Sequence, residues 1–160
     1  MKNTGHPAGS WYRATVDTPP EYPYLEGDVR VDVGIVGGGF TGLGAALELA
    51  SKGVRVAVLE GADIGSGASG RNGGQVHTGQ RIDPETLAAQ LGPDAARQLW
   101  DMSEDAKASL YAMVAQHGID CELKSGLIHA WHKPQFADDD RAYADFVHTQ
   151  YGYDKVSLLS

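Results

Sequence analysis

The apolar run Val31-Asp32-Val33-Gly34-Ile35-Val36 leads directly into Gly37-Gly38-Gly39-Phe40-Thr41-Gly42, which opens an alanine-rich stretch. A G-x-G-x-x-G between a strand and a helix constrains the fold more tightly than any other feature, because each glycine meets a different steric demand. Gly37 lets the backbone turn sharply off the strand. Gly39 presents no Cβ to a ligand approaching the loop, and Gly42 lets the helix lie close to the sheet. The first helical turn leaves N–H groups without intrahelical acceptors, and the macrodipole adds about half a positive charge there, so a pyrophosphate is well placed.

With 21 glycines in 160 residues the pattern alone carries little weight, and its context supplies the rest. From Thr41 to Lys52, the residues Leu43, Ala46, Leu47 and Ala50 recur at helical spacing, and Gly53 stands where a left-handed residue would end the helix. Val54-Arg55-Val56-Ala57-Val58-Leu59 is a second strand-like run, and it ends on Glu60, about twenty residues past the loop. An acid there accepts hydrogen bonds from the ribose hydroxyls of an adenosine and repels a 2′-phosphate, favouring FAD or NAD over NADP. A βαβ unit with a merely tight turn accounts for Gly37 and Gly42 but not for Glu60.

A second glycine-rich loop follows, from Gly61 to Gln75, with Ser69, Arg71 and Asn72 interleaved among its glycines. Successive N–H groups in such a loop can line an anion-binding concavity, and Ser69 and Arg71 could add side-chain donors to a pyrophosphate or a flavin carbonyl. The plain alternative is a flexible linker, but a linker has no need of Arg71-Asn72 between glycine pairs.

The combined pattern GGGFTGLGAALELA, VLE and GASGRNGGQ resembles the N-terminal part of the D-amino-acid-oxidase-like FAD-dependent amine oxidoreductases, and most of all the gamma-glutamylputrescine oxidoreductases. The likeness continues through LGPDAARQLWDMSEDA and HGIDCELKSGLIHAWHK and so covers most of the chain. The resemblance implies FAD as cofactor, held by Gly37, Gly39, Phe40, Thr41, Gly42 and Glu60 and by the loop Ala68, Ser69, Gly70, Arg71, Asn72, Gly73 and Gly74. Some relatives tether flavin through a histidine in this loop; Arg71 stands near that point here, which implies noncovalent FAD. The resemblance also implies oxidation of a small-molecule amine, by hydride transfer from the amine-bearing carbon to flavin N5 and hydrolysis of the imine. It names neither the amine, the electron acceptor nor a catalytic residue. An NAD-linked dehydrogenase domain and a noncatalytic dinucleotide-binding fragment remain the alternatives.

Family members are considerably longer, and the expected fold is an α/β, incomplete Rossmann-like FAD-binding domain: one clear βαβ unit plus helices, with the start of a second sheet. Near-continuous apolar strands belong to parallel sheets buried on both faces, which need several strands, and Val156-Ser157-Leu158-Leu159-Ser160 stops without a turn or cap, so a truncated reading frame is expected.

Residues 1–27, with Pro7, Pro19, Pro20 and Pro23 and the aromatics Trp11, Tyr12, Tyr22 and Tyr24, read as an extended arm whose rings pack on a globular surface. Residues 28–118 read as the incomplete FAD-binding domain, and residues 119–160 as the beginning of a substrate domain or a helical excursion. Asp83 and Pro84 form a helix start, and that helix ends near Gly92. A second helix from Pro93 to His117, stopped by Gly118, is expected to turn Leu99, Met102, Ala106, Leu110 and Met113 to the core. Cys121-Glu122-Leu123 and Leu127 to His132 read as a strand, and Gln135 to Tyr151 as a helix with Phe136, Tyr143, Phe146 and Val147 inward and Asp138-Asp139-Asp140 outward.

No metal site is expected: His129 and His132, three apart in a strand, would face opposite sides. Cys121 is the sole cysteine, so no intramolecular disulfide can form, and a buried packing role is expected for it in a reducing cytoplasm. A net charge of −8 argues against nucleic acid and anionic membranes as partners. The first residues have no apolar core for a signal peptide, and no stretch approaches membrane-spanning length.

Overall fold

The computed structural model describes residues 9–16 and 21–159, and of Gln135 only the backbone. The described chain has mixed α/β structure, with its contacts gathered into two compact units that divide between Gly74 and Gln75.

The first unit is built on strands β1 (Val33–Val36) and β2 (Val56–Leu59), joined by helix α2 (Phe40–Ser51), with a short helix α1 (Trp11–Thr15) earlier in the chain. The strands pair in parallel, Val33 beside Val56 and Val36 beside Leu59, as a βαβ crossover requires. Both are two residues shorter than the apolar runs that announce them. At their first ends Asp32 accepts from the Arg55 backbone N–H at 3.1 Å and from its guanidinium at 3.1 and 2.8 Å, a fork that marks the register. Gly53 ends α2 as expected: at φ 78° its N–H reaches the Ala50 carbonyl at 2.9 Å, and Val54 N–H reaches that of Leu49 at 3.1 Å, the paired bonds of a Schellman motif.

The inward face of α2 differs from the expected one. Leu43 and Ala46 are half-buried together with Gly42 and Leu49, whereas Leu47 and Ala50 are exposed. Strand burial also departs from the two-sided pattern: β1 alternates, and Val36 is 88% exposed. In this unit Gly38 alone among the described residues falls in the buried class.

The second unit is helical. Helix α3 (Pro84–Leu91) starts on Asp83, whose Oδ1 accepts the Glu85 and Thr86 N–H groups at 3.0 and 3.1 Å. Helix α4 (Pro93–His117) ends on left-handed Gly118, and α5 (Ala137–Tyr151), entered through a 3-10 turn at Pro134–Phe136, ends on left-handed Gly152. The core is Leu87, Ala96, Trp100, Ala137 and Val147. Trp100, 4% exposed, stacks on Tyr151 at 4.6 Å and meets Tyr153 edge-on at 5.3 Å. Beside it Lys107 Nζ donates to Glu104 at 2.8 Å, to Thr78 Oγ1 at 2.8 Å and to Tyr153 at 3.3 Å, while the Thr78 hydroxyl also donates to Glu104. Burial pushes Glu104 up, but the Lys107 and Thr78 hydrogen bonds outweigh it and hold the carboxyl below its ordinary value.

Four expectations are corrected here. The buried face of α4 runs through Ala96, Trp100, Ser103 and Lys107, one residue and so about 100° round from the stripe of Leu99, Met102, Ala106, Leu110 and Met113. Only Leu99 of that stripe is half-buried; Met102 is 62% exposed. Apolar spacing pointed to the stripe, but one large ring against two tyrosines decided the rotation. The segment around Cys121 to His132 forms no strand and is exposed, Cys121 included, since no described segment offers it a ladder of hydrogen bonds. In the arm, of which residues 1–8 and 17–20 lie outside the described residues, α1 replaces extended chain, and Trp11, Tyr22 and Tyr24 are exposed rather than packed. Within α5, Val147 is fully buried and Tyr143 and Phe146 half-buried as expected, while Phe136 is exposed and precedes the helix.

Replacing Trp100 by alanine empties the centre of the second unit. Urea unfolding followed by far-UV circular dichroism is expected to show a loss of about 3–5 kcal/mol, with Trp100→Phe losing less.

Candidate functional site

The strand register places Gly37 beside the residue after Leu59, and that residue is Glu60. Glu60 Oε2 accepts the Gly38 N–H at 2.6 Å and Oε1 accepts the Ala62 N–H at 2.9 Å. These bonds leave the carboxylate with capacity to accept from a further hydroxyl. The Gly38 and then the Ala62 backbone donors hold the Glu60 carboxyl below its ordinary range. The acid therefore does two things that its sequence position alone does not reveal: it stays charged, and it fixes the glycine loop from outside the loop.

Gly37 carries φ 104°, open to glycine at little cost, and its N–H continues the ladder to the Leu59 carbonyl at 2.8 Å. A Cβ on Gly42 would strike the Gly37 carbonyl oxygen and press on the Ile35 side chain, which is why the helix can start so close to the strand. Gly39 is the N-cap of α2 and has no capping side chain of its own. Instead Ser69, from the second glycine loop, accepts the Phe40 N–H on its Oγ at 2.9 Å. The Thr41 and Gly42 N–H groups meet no acceptor among the described residues, and they point along the positive end of a 12-residue helix.

The loop from Ala68 to Gly74 is ordered by its own side chains. Ala68–Gly70 forms a 3-10 turn. Asn72 Nδ2 donates to the Ser69 carbonyl at 2.8 Å and the Ala68 carbonyl at 3.3 Å, and its Oδ1 accepts the Gly74 N–H at 2.8 Å. Arg71 Nε donates to the Ser66 carbonyl at 2.9 Å. The two glycine loops are joined by Gly65 N–H to the Gly38 carbonyl at 2.9 Å. Asn72 thus acts within the loop, and Ser69 is the side chain that reaches across to α2.

The structure brings Gly37, Gly39, Phe40, Thr41, Gly42, Glu60 and Ser69 to one place, where Glu60 is bonded to Gly38 and Ser69 to Phe40. Missed in the sequence were the hold of Glu60 on Gly38, legible only once the register is known, and the contacts of Tyr12 and Arg13 with the second loop. Elsewhere, His129 Nδ1 lies 3.1 Å from Asp140 and His132 packs on Phe136 at 5.4 Å. Among the described residues no group of three or more His, Cys, Asp or Glu could hold a metal ion, and no helix is long and apolar enough to cross a membrane.

Known proteins resemble this chain over most of its length. The family model described as DAO, FAD dependent oxidoreductase, matches residues 32–160. A probable oxidoreductase, OrdL, of Rhizobium meliloti (strain 1021) is 39% identical over 153 residues, 96% of this chain and 36% of its own length. The OrdL of Haemophilus influenzae is 36% identical over 93% of this chain and 35% of its own. The gamma-glutamylputrescine oxidoreductase of Escherichia coli (strain K12) is 34% identical over 94% and 35% respectively. The chain therefore spans about a third of the length of the curated relatives it matches. No solved structure matches it significantly.

The lowered pKa of Glu60 has a defined sign. A carboxyl lowered by folding contributes stability that is fully present above its unfolded value, ordinarily 4.5, and is lost as pH falls through the folded value. The difference in unfolding free energy between the wild type and Glu60→Gln is expected to stay constant from neutral pH down to about the unfolded value of 4.5 and to shrink as pH falls from there through the folded value, measured by urea titration at each pH. A difference independent of pH would separate the carboxylate from the Gly38 N–H.

Proposed function

The chain belongs to the FAD-dependent oxidoreductase family, and from that premise we propose that it supplies the adenosine- and pyrophosphate-binding part of a flavoenzyme that oxidises a small-molecule amine. The observation that carries the reading is the single cluster in which Glu60, with capacity for a further hydroxyl, lies on the glycine loop while α2 directs the Thr41 and Gly42 N–H groups outward. This donor and acceptor set fits the two ends of an adenosine diphosphate: a hydroxyl on an acid, phosphate oxygens on backbone N–H groups.

In this reading Glu60 binds the ribose of FAD, Gly37, Gly39, Phe40, Thr41 and Gly42 bind its pyrophosphate, and the Ala68 to Gly74 loop runs on toward the flavin ring. Gly39 is bare on the side facing Ser69, whose Oγ would lie 2.9 Å from a Cβ placed there, so the approach stays narrow and free of side chain. Residues 28–118 would form the FAD-binding domain and residues 119–160 the beginning of a substrate domain. Arg71 stands near the point where some relatives tether flavin through a histidine, and in this reading FAD is held noncovalently.

The chemistry that FAD would supply when bound is uptake of a hydride from the carbon bearing the substrate amine, after which water would hydrolyse the imine to a carbonyl compound and release the amine nitrogen. The residues of this chain hold and orient. Glu60 stays ionised through its backbone donors, ready to accept a hydroxyl at neutral pH, and Ser69 and Asn72 keep the second loop against the helix N-terminus. Amine oxidation is favoured by the likeness to the gamma-glutamylputrescine oxidoreductase over nearly the whole of this chain.

The purified protein is expected to be yellow, or to become so on titration with FAD, with visible flavin absorbance. Glu60→Ala is expected to weaken FAD by roughly 10- to 100-fold, the loss of charge-assisted hydrogen bonds. Circular dichroism would check that the fold is kept. A wild-type protein that stays colourless in excess FAD would overturn the reading.

A further inference from the structure

The short helix α1 lies outside the residues matched by the family model, which begin at 32, yet it touches the second glycine loop at both ends. Tyr12 donates its hydroxyl to the Asn72 carbonyl at 3.0 Å, sixty residues away in sequence. Arg13 Nε pairs with Asp63 Oδ2 at 3.0 Å across fifty. The helix is set for this by Ser10, whose Oγ caps the Arg13 N–H at 3.2 Å. The alignment with the Rhizobium meliloti relative covers 153 of the 160 residues and so passes through α1.

Gly74 lies against the same contact. Its φ is 66°, and a Cβ there would come within 2.5 Å of the Tyr12 hydroxyl. The last glycine of the loop has the left-handed backbone that favours glycine, and its bare Cα also leaves room for the Tyr12 hydroxyl. Asn72 is the junction: its carbonyl takes Tyr12, while its side chain closes the turn that presents Ser69 to α2.

We propose that α1 is a clasp, and that Tyr12 and Arg13 are positioning residues for FAD, acting through Asn72 and Asp63 on the loop that carries Ser69. The proposal rests on the FAD-binding reading above. The two contacts contribute unequally. Both contacts are exposed; the ion pair contributes little, and the Tyr12 hydroxyl is the one that bonds directly to Asn72, the residue that closes the loop. Held from both sides, the loop meets the cofactor already shaped, and release of FAD must loosen the clasp as well as the phosphates.

Tyr12→Phe keeps the ring and removes only the bond, and Arg13→Gln removes the pair. Two measurements on the whole protein separate the possibilities: amide hydrogen exchange at residues 69–74 without FAD, and the rate of FAD release with the visible circular dichroism of the bound flavin. Tyr12→Phe is expected to exchange faster in that loop, to release FAD about three- to tenfold faster and to alter the flavin dichroism, the size expected for one net hydrogen bond. The change in flavin dichroism is the readout that a merely structural role would not move. Unchanged exchange overturns the clasp, whatever FAD does. Faster exchange with unchanged FAD release overturns the positioning role. A wild type that takes no FAD overturns the flavin reading itself and the positioning role with it, an outcome distinct from a wild type that binds FAD as tightly as the variant.

Discussion

The hydrogen bond from the Gly38 N–H to the Glu60 carboxylate is the contact on which the first unit turns. Gly38 is buried, and its two backbone groups are both accounted for: the N–H on Glu60 and the carbonyl on Gly65. A buried backbone group without a partner costs about as much as a lost hydrogen bond, so the glycine loop can be buried only where both neighbours are present. Glu60 arrives there because β2 runs parallel to β1 in one register, and Gly65 because the second loop folds back at once. Binding chemistry and loop order therefore depend on the same carboxylate.

Around that contact, backbone rather than side chain does most of the work. In the first unit no described apolar side chain falls in the buried class, whereas the second unit closes around Trp100 and a fully buried Val147. The two are held in physically different ways. The first depends on a ladder, Schellman bonds and side-chain-to-backbone caps from Ser69 and Asn72; the second depends on aromatic stacking with a paired Lys107 and Glu104 at its border.

Local signals proved most legible where one residue answers to one backbone geometry. Gly53 and Gly118 end their helices in left-handed conformations, and Asp83 caps α3, because these requirements are met within a few residues. Legibility fell where packing chooses among neighbours. On α4 several apolar positions lie within one turn of each other, and the ring of Trp100 rather than the count of apolar residues set the buried face. The run from Leu127 to His132 has strand composition, but a strand exists only where another pairs with it, and composition says nothing of the partner.

The sequence by itself determined the βαβ unit, the glycine loop and the acid that follows it, since strand, turn, helix and strand are contiguous and each has a local steric cause. It also determined the kinship with FAD-dependent oxidoreductases through the order of those motifs. Only the tertiary structure decided that Glu60 grips Gly38, that Ser69 caps α2, and that Tyr12 reaches Asn72. Those bonds join residues 22, 29 and 60 positions apart. Which donor meets which acceptor at such distances is set by strand register and loop closure, and these are properties of the folded chain as a whole.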